Sequence, residues 1–316
     1  MRLIIQHSKF QIRNSNLAPS HSGEGGERGL NLNPMKKIIS IMLFACISIC
    51  SYADQPQYTK ADSTKVMELL KAGKKQKKGT NLMVFFARQL RDVPYVAQTL
   101  EVNNKERLII NLRQLDCTTY VENVLALKRC IDNKKYSFTD FCNTLRQIRY
   151  QQGNVSYQTR LHYFTWWVTD NTKKGFVKER QSTKFPFTKI QKINVDWMST
   201  HSDNYPMLKA NPSWISDIAK AEKSVNGQTI RYIPKGIIAN TKAFRNSIKD
   251  GDIIGLVTNK KGLDTTHLGI AIWHKDGLHM LNASQVRGKV IEEPMLLRTY
   301  MAKHPVQVGI RVVEAR

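Results

Sequence analysis

Cysteine is scarce in this chain, and the few present do not pair up. Five occur in 316 residues. Cys46 and Cys50 lie in a leader-like segment, which leaves Cys117, Cys130 and Cys142. An odd number excludes a complete disulfide framework and keeps at least one thiol free or paired outside the chain. Their separations of 13 and 12 residues are not zinc-ligand spacings, so no metal and no cofactor are expected. Internal repeats and low-complexity linkers are missing too, so one compact unit is the expectation. No apolar run reaches the roughly 20 residues of a good transmembrane span. Acidic side chains are also in deficit, 25 against 49 Lys and Arg, for a formal net charge of +24. Only six Lys/Arg and two Asp/Glu precede Asp54, so the remainder keeps +20. That balance favours an anionic partner such as nucleic acid, anionic lipid or acidic wall polymer. Its bland alternative is solubility and lineage, since the lysines are scattered. No nucleic-acid recognition motif is present, so no nucleic-acid partner is expected.

What is present begins with a folded composition: 41% apolar and 9% aromatic content supports a well-buried core. Residues 1–34 carry no periodic apolar pattern. Met35 then opens Lys36-Lys37, an apolar stretch from Ile38 to Cys50, and Ser51-Tyr52-Ala53. A basic start, an apolar centre of about 7–15 residues and small residues before a cleavage point make a secretory signal peptide. Residues 1–34 are therefore read as a non-native extension, 35–53 as a signal peptide cut after Ala53, and 54–316 as one exported domain with an insertion over 150–234. A periplasmic location follows. Leu43-Phe44-Ala45-Cys46 is an imperfect lipoprotein signal, so membrane contact is expected only if Cys46 is lipidated.

Helices are expected first along the exported part. Asp62-Ser63-Thr64 resembles an N-cap ahead of Val66, Met67, Leu69 and Leu70. Residues 81–91 read as a second helix ended by Pro94. Residues 117–130 read as a third, with Val121, Val124, Leu125 and Lys128 on one face, and 138–149 as a fourth. A helix carrying Trp166 and Trp167 is expected to begin near Thr159, inside a middle stretch interrupted by Pro186, Pro206, Pro212 and Pro234. After Gly251-Asp252 the pattern becomes short apolar runs at 253–258, 267–273, 278–283 and 306–313. These read as an antiparallel meander with turns at Lys260-Lys261-Gly262 and Lys275-Asp276-Gly277. Helices first and strands last is an α+β signature.

One constellation carries chemistry. Cys117 stands where a loop turns into a helix, with Asp116 as the N-cap. A helix start offers unpaired N–H groups and partial positive charge, which would lower the thiol pKa and hold an oxyanion. His267 opens a strand, and Gly269 removes a side chain on the same face, leaving room beside the imidazole. Asn282 lies on the next strand, where its amide oxygen would fix the imidazole tautomer. Taken singly, Cys117 and His267 read as core residues and Asn282 as nothing in particular; His279 competes for the base or orienting role, and His274 belongs to the turn.

At these residues the chain resembles the NlpC-type branch of the papain-like superfamily, bacterial cell-wall cysteine amidases and peptidases. That branch shows Pro-Tyr, then Asp-Cys with small residues and an aromatic, then His-x-Gly-Ile and a His-Ala-Ser-like strand. Here stand Pro94-Tyr95, Asp116-Cys117-Thr118-Thr119-Tyr120-Val121, His267-Leu268-Gly269-Ile270 and Asn282-Ala283-Ser284. Asn282 replaces the second His of many relatives. Val96-Ala97-Gln98-Thr99 replaces the usual Gly-Gly, which implies a different substrate groove. More narrowly, Leu115 to Glu122, Arg160-Leu161-His162-Tyr163, Tyr232-Ile233-Pro234-Lys235, Gly251-Asp252-Ile253-Ile254 and Gly262 to His267 resemble an exported N-acetylmuramoyl-L-alanine amidase-like subfamily, over about residues 62–316.

The resemblance implies a papain-like α+β core and a catalytic Cys117, His267 and Asn282. It further implies substrate contacts at Tyr95, Asp116, Thr118 and Arg160, with a structural ion pair as the alternative for Arg160. Trp166 and Trp167 are either a sugar platform or core. The implied substrate is peptidoglycan or muropeptide fragments, cut between N-acetylmuramic acid and L-alanine, and a monomer is expected. The rival readings are an endopeptidase cutting within the stem peptide, at the γ-D-glutamyl-diamino acid bond, and a non-catalytic wall-binding protein.

Overall fold

The computed structural model describes residues 55–316, so the extension, the signal peptide, the cut at Ala53 and Cys46 lie outside the described residues. Four helices lead: α1 (Lys60–Lys74), α2 (Leu82–Gln89), α3 (Cys117–Asp132) and α4 (Phe138–Arg149). The cap of α1 is Thr59 rather than Asp62. Thr59 Oγ1 accepts from Asp62 N, and Asp62 accepts from Thr59 N at 3.0 Å, a reciprocal box that starts the helix earlier than the Asp-Ser-Thr pattern implies. The other Asp62 oxygen accepts from Leu112 N at 2.9 Å and ties α1 to the segment before α3.

Every residue of α3 from Thr119 to Leu127 is buried. A helix covered all round needs partners for its polar groups. Glu122 meets Arg149 of α4 at 2.7 Å, and Asn123 Nδ2 donates to Thr119 O at 2.7 Å. Lys128, two turns on from Val121 on the same face, pairs with Asp132 at 2.6 Å. The next helix, α5 (Phe164–Lys173), starts later than expected, because residues 157–159 form a 3₁₀ turn with its own Ser156–Thr159 box. Short helices α6 (Trp197–Thr200), α7 (Pro206–Ala210), α8 (Ile215–Val225), α9 (Lys242–Ser247) and α10 (Leu297–Ala302) complete the helical set among the described residues.

The strands are β1 (Val177–Glu179), β2 (Lys189–Lys192), β3 (Thr229–Pro234), β4 (Ile253–Thr258), β5 (Thr265–Trp273), β6 (Leu278–Ser284), β7 (Lys289–Glu292) and β8 (Gln307–Ala315). They form one sheet in the order β2-β3-β8-β4-β5-β6-β7, with β1 beside the far end of β8. All named strand pairs are antiparallel. The meander expectation therefore needs correction: β4 to β7 run in order, but β8 returns to the other side of β4 and sits between it and β3.

Both sheet faces are covered, so all six residues of β4 are buried. Ile253, Leu268, Ile270, Leu281 and Val313 join the core packed on α1 to α5, whereas Ile254, Leu256, Ala271, Met280 and Val312 join the core with α9 and α10. A Cβ on Gly255 would lie 2.4 Å from the Phe164 ring, so the glycine lets α5 approach the sheet. The architecture is mixed helix and antiparallel sheet, α+β.

Candidate active site

Cys117 is the first residue of α3. The chain reaches it along a pinned path: Leu115 N donates to Pro94 O at 3.0 Å, and Val96 N to Leu115 O at 3.1 Å. Asp116 then caps the helix, its Oδ1 accepting from Thr119 N and Thr119 Oγ1, both at 2.8 Å. Asp116 N donates in turn to Thr119 Oγ1 at 3.0 Å. Of the four N–H groups that a helix start leaves unpaired, those of Cys117 and Thr118 therefore remain for a ligand.

His267 sits near the start of β5 and Asn282 in β6. The register Ile270↔Leu281 brings Asn282 across from Gly269. His267 Nε2 then lies 2.9 Å from Asn282 Oδ1. With the amide oxygen accepting, Nε2 carries the proton and Nδ1 keeps its lone pair. Asn282 is fully buried, and its Nδ2 has no hydrogen-bond partner among the described residues. Gly269 does not open space beside the imidazole as expected, since a Cβ there would strike Met280 Cγ at 2.3 Å and Leu281 O at 3.0 Å. Close packing of β6 against β5 accounts for the glycine.

Cys117, Thr118 and His267 line one cleft of about 200 Å³. Its other walls come from Leu161 to Phe164 and Trp167, from Met198 and Tyr205, and from Leu263 to Thr266. Tyr95 lies close enough for the Cys117 and Asp116 charges to act on its hydroxyl, which burial holds above the usual phenol range. Tyr300 of α10 stands behind, its ring 6.4 Å from that of His267. Arg160 is not brought to the cleft. It is buried, paired with Glu101 and Glu106, and stacked 4.6 Å over Tyr157. Trp166 packs in the core, and Trp167 is 3% exposed where it meets the cleft. His279 is also elsewhere, held between Glu293 O and Asp276, both at 3.0 Å. Met198 and Tyr205 carried no signal in the sequence, because the segment they occupy is broken into short turns around Pro206 and Pro212.

The electrostatics overturn one expectation. Burial pushes the Cys117 thiol up to about 11, and the neighbouring Asp116 carboxylate adds to the rise. The Leu268 backbone, Thr118 and the residue's own amide pull the other way without winning. His267 moves down from 6.5, chiefly through burial, although its bond to Asn282 opposes the shift. At neutral pH the pair therefore rests as thiol and neutral imidazole rather than as an ion pair. The cleft thus holds a thiol, an imidazole with a free lone pair, and a helix start with two N–H groups outside the helix's own bonding. That set can carry out acyl transfer.

The N-acetylmuramoyl-L-alanine amidase-like (AmiA-like) family model matches residues 85–310. An N-acetylmuramoyl-L-alanine amidase from Bacteroides uniformis is 33% identical, with a TM-score of 0.69 over 78% of this chain and 99% of that one. A Bacteroides fragilis protein that carries a provisional xylanase label is 37% identical, with a TM-score of 0.67 over 72% of this chain and 98% of that one. A Legionella pneumophila protein, 21% identical with a TM-score of 0.63 over 81% of this chain and 95% of that one, shares the fold. No curated protein matches.

Proposed function

This chain belongs to the N-acetylmuramoyl-L-alanine amidase-like family, and from that premise we propose that it is an exported cysteine hydrolase of peptidoglycan. It cuts the amide between the muramic acid lactyl group and L-alanine, using Cys117, His267 and Asn282 in a papain-like arrangement. The observation that carries this reading is the cleft shared by Cys117 and His267, with Asn282 locked to the far nitrogen of the imidazole. Substrate binding brings the lactyl carbonyl over Cys117. His267 Nδ1 takes the thiol proton as sulfur forms its bond to the carbonyl carbon, and the Cys117 and Thr118 N–H groups hold the oxyanion. The C–N bond then breaks, and the imidazolium returns its proton to the departing alanine amine. Water, deprotonated by the same imidazole, attacks the thioester and releases a lactyl carboxylate and the thiol. Tyr95 and Thr118 contact the substrate, and Asp116 shapes the helix start. Residues 35–53 direct export of a catalytic unit beginning at Asp54.

The Bacteroides fragilis relative's label prompts a glycosidase reading. That chemistry needs two carboxyl groups flanking the bond. Asp264 lines the cleft, but its Oδ2 accepts from Thr165 N at 2.6 Å and its Oδ1 from Thr265 N at 2.8 Å. Asp116 is committed as the helix cap, so the carboxyl pair is lacking there.

The test is digestion of muropeptides followed by mass analysis. Release of an intact stem peptide beginning with L-alanine is expected, with turnover lost in Cys117→Ala. A cut within the stem would refute the bond assignment, and full activity in Cys117→Ala would refute the nucleophile. Binding of wall fragments without cleavage would make the protein a binding module.

A further inference from the structure

At the end of the β5–β6 hairpin away from His267, two imidazoles and a carboxylate converge. His274, Asp276 and His279 each offer one ligand atom, and these atoms all lie within 4.8 Å of one another. The two rings stack with centroids 4.3 Å apart. His279 is 2% exposed and sits between two acceptors, Nδ1 against Glu293 O and Nε2 against Asp276 Oδ1, each at 3.0 Å. A neutral ring has one N–H, so it can satisfy one of these contacts and faces the other with a lone pair. A metal ion between Nε2 and the carboxylate satisfies both contacts at once.

We propose that this turn is a divalent-cation site of the zinc class, formed by His274, Asp276 and His279. The surroundings are those of ligating histidines. A metal-bound imidazole gives its other N–H to a backbone carbonyl or carboxylate, which orients the ring. Glu293 O serves His279 in this way. Glu292 lies 2.7 Å from His274 Nε2 and is itself held by Arg88 through two bonds of 2.9 Å. Zn–N and Zn–O bonds of about 2.0–2.2 Å place ligand atoms roughly 3.3 Å apart. Closing the site turns the half-exposed His274 ring out of its stack on His279 and swings exposed Asp276 inward, while buried His279 is the fixed point. Three protein ligands leave a fourth position for water. His267 lies seven residues from His274 along β5, roughly 23 Å at 3.3 Å per residue. The ion is therefore not part of the hydrolytic step; it clasps the turn of the hairpin that carries His267 and Asn282.

The experiment strips the full-length protein with chelator and titrates Zn²⁺ alone against a chromogenic competitor, alongside a thermal melt. One equivalent should bind, with a rise in Tm. The same equivalent should persist in Cys117→Ala. His274→Ala and Asp276→Ala should each weaken binding by about 100-fold or more, since loss of even an outer partner costs about 10- to 100-fold, and abolish the zinc-dependent rise. Both side chains lie at the surface of the turn, so these variants keep the fold that His279 substitutions would endanger. The proposal is overturned if no equivalent binds, if binding disappears with Cys117, or if both turn variants bind zinc like the wild type.

Discussion

A helix start lowers a thiol pKa where the sulfur meets unpaired N–H groups and water. At Cys117 the sulfur meets protein and the Asp116 carboxylate, which put the thiol at about 11. Alkylation of Cys117 by iodoacetamide, followed by peptide mass, should therefore accelerate about tenfold per pH unit from 8 towards 10, since only the thiolate reacts. A rate already flat between pH 7 and 9 would contradict the neutral pair. Asp116→Asn keeps a good N-cap and removes the charge, so alkylation at pH 8 should quicken several-fold while stability shifts by only a few tenths of a kcal/mol. His267, with its pKa held below 6.5, should put the acid limb of kcat/KM below the ordinary histidine range. At this scale the meeting of Cys117 and His267 in one cleft, and the bond from His267 to Asn282, were legible from motif order. The direction of the thiol shift was not, because it depends on what folds over the sulfur.

The elements divide by how local their cause is. The helix at 138–149 and the strand at 253–258 were legible to their ends; the one starts at a Ser137–Asp140 box and the other is an unbroken buried run. β1 and β2 were invisible: Val177-Lys178-Glu179 and Lys189-Ile190-Gln191-Lys192 are short and mostly polar or exposed, and tertiary pairing rather than pattern makes them strands. The place of β8 was hidden for another reason, since its partners in β1 and β3 lie far back in sequence. Gly255 tests the packing of α5 on the sheet. Gly255→Ala forces a methyl against the Phe164 ring and should cost about 1–3 kcal/mol, as overpacking does. Chemical denaturation of Gly255→Ala, Phe164→Leu and the double variant measures it, with part of the loss recovered in the double variant. Independent, additive losses would mean that the two residues do not share the contact.

Across the whole molecule, a buried network ties the chain that shapes the cleft to the rest of the fold. Arg160 pairs with Glu101, and Glu101 accepts from Met207 N at 3.3 Å, two residues beyond Tyr205 in the cleft wall. His162 follows in the same wall. Burial, with the Arg160 charge, holds its pKa well below 6.5, and its Nε2 donates to Tyr157 O at 2.7 Å. The unfolded chain takes up a proton near pH 6.5 that the folded chain refuses, so stability is lost as pH falls below that value. The slope is at most about 1.4 kcal/mol per pH unit for one such group. His162→Gln should lose less stability than wild type between pH 7 and 5 in urea melts, leaving the contribution of His267. Equal losses would show that His162 titrates normally. The position of β8 has a consequence for synthesis. The last described strand in sequence is an interior one, bonded to β1, β3 and β4. Until residues 307–315 are available, β4 and β3 are open edges with no partner to join them. A chain cut before residue 307 therefore leaves one edge of β3 and one of β4 unpaired, and open strand edges are templates for pairing with other chains.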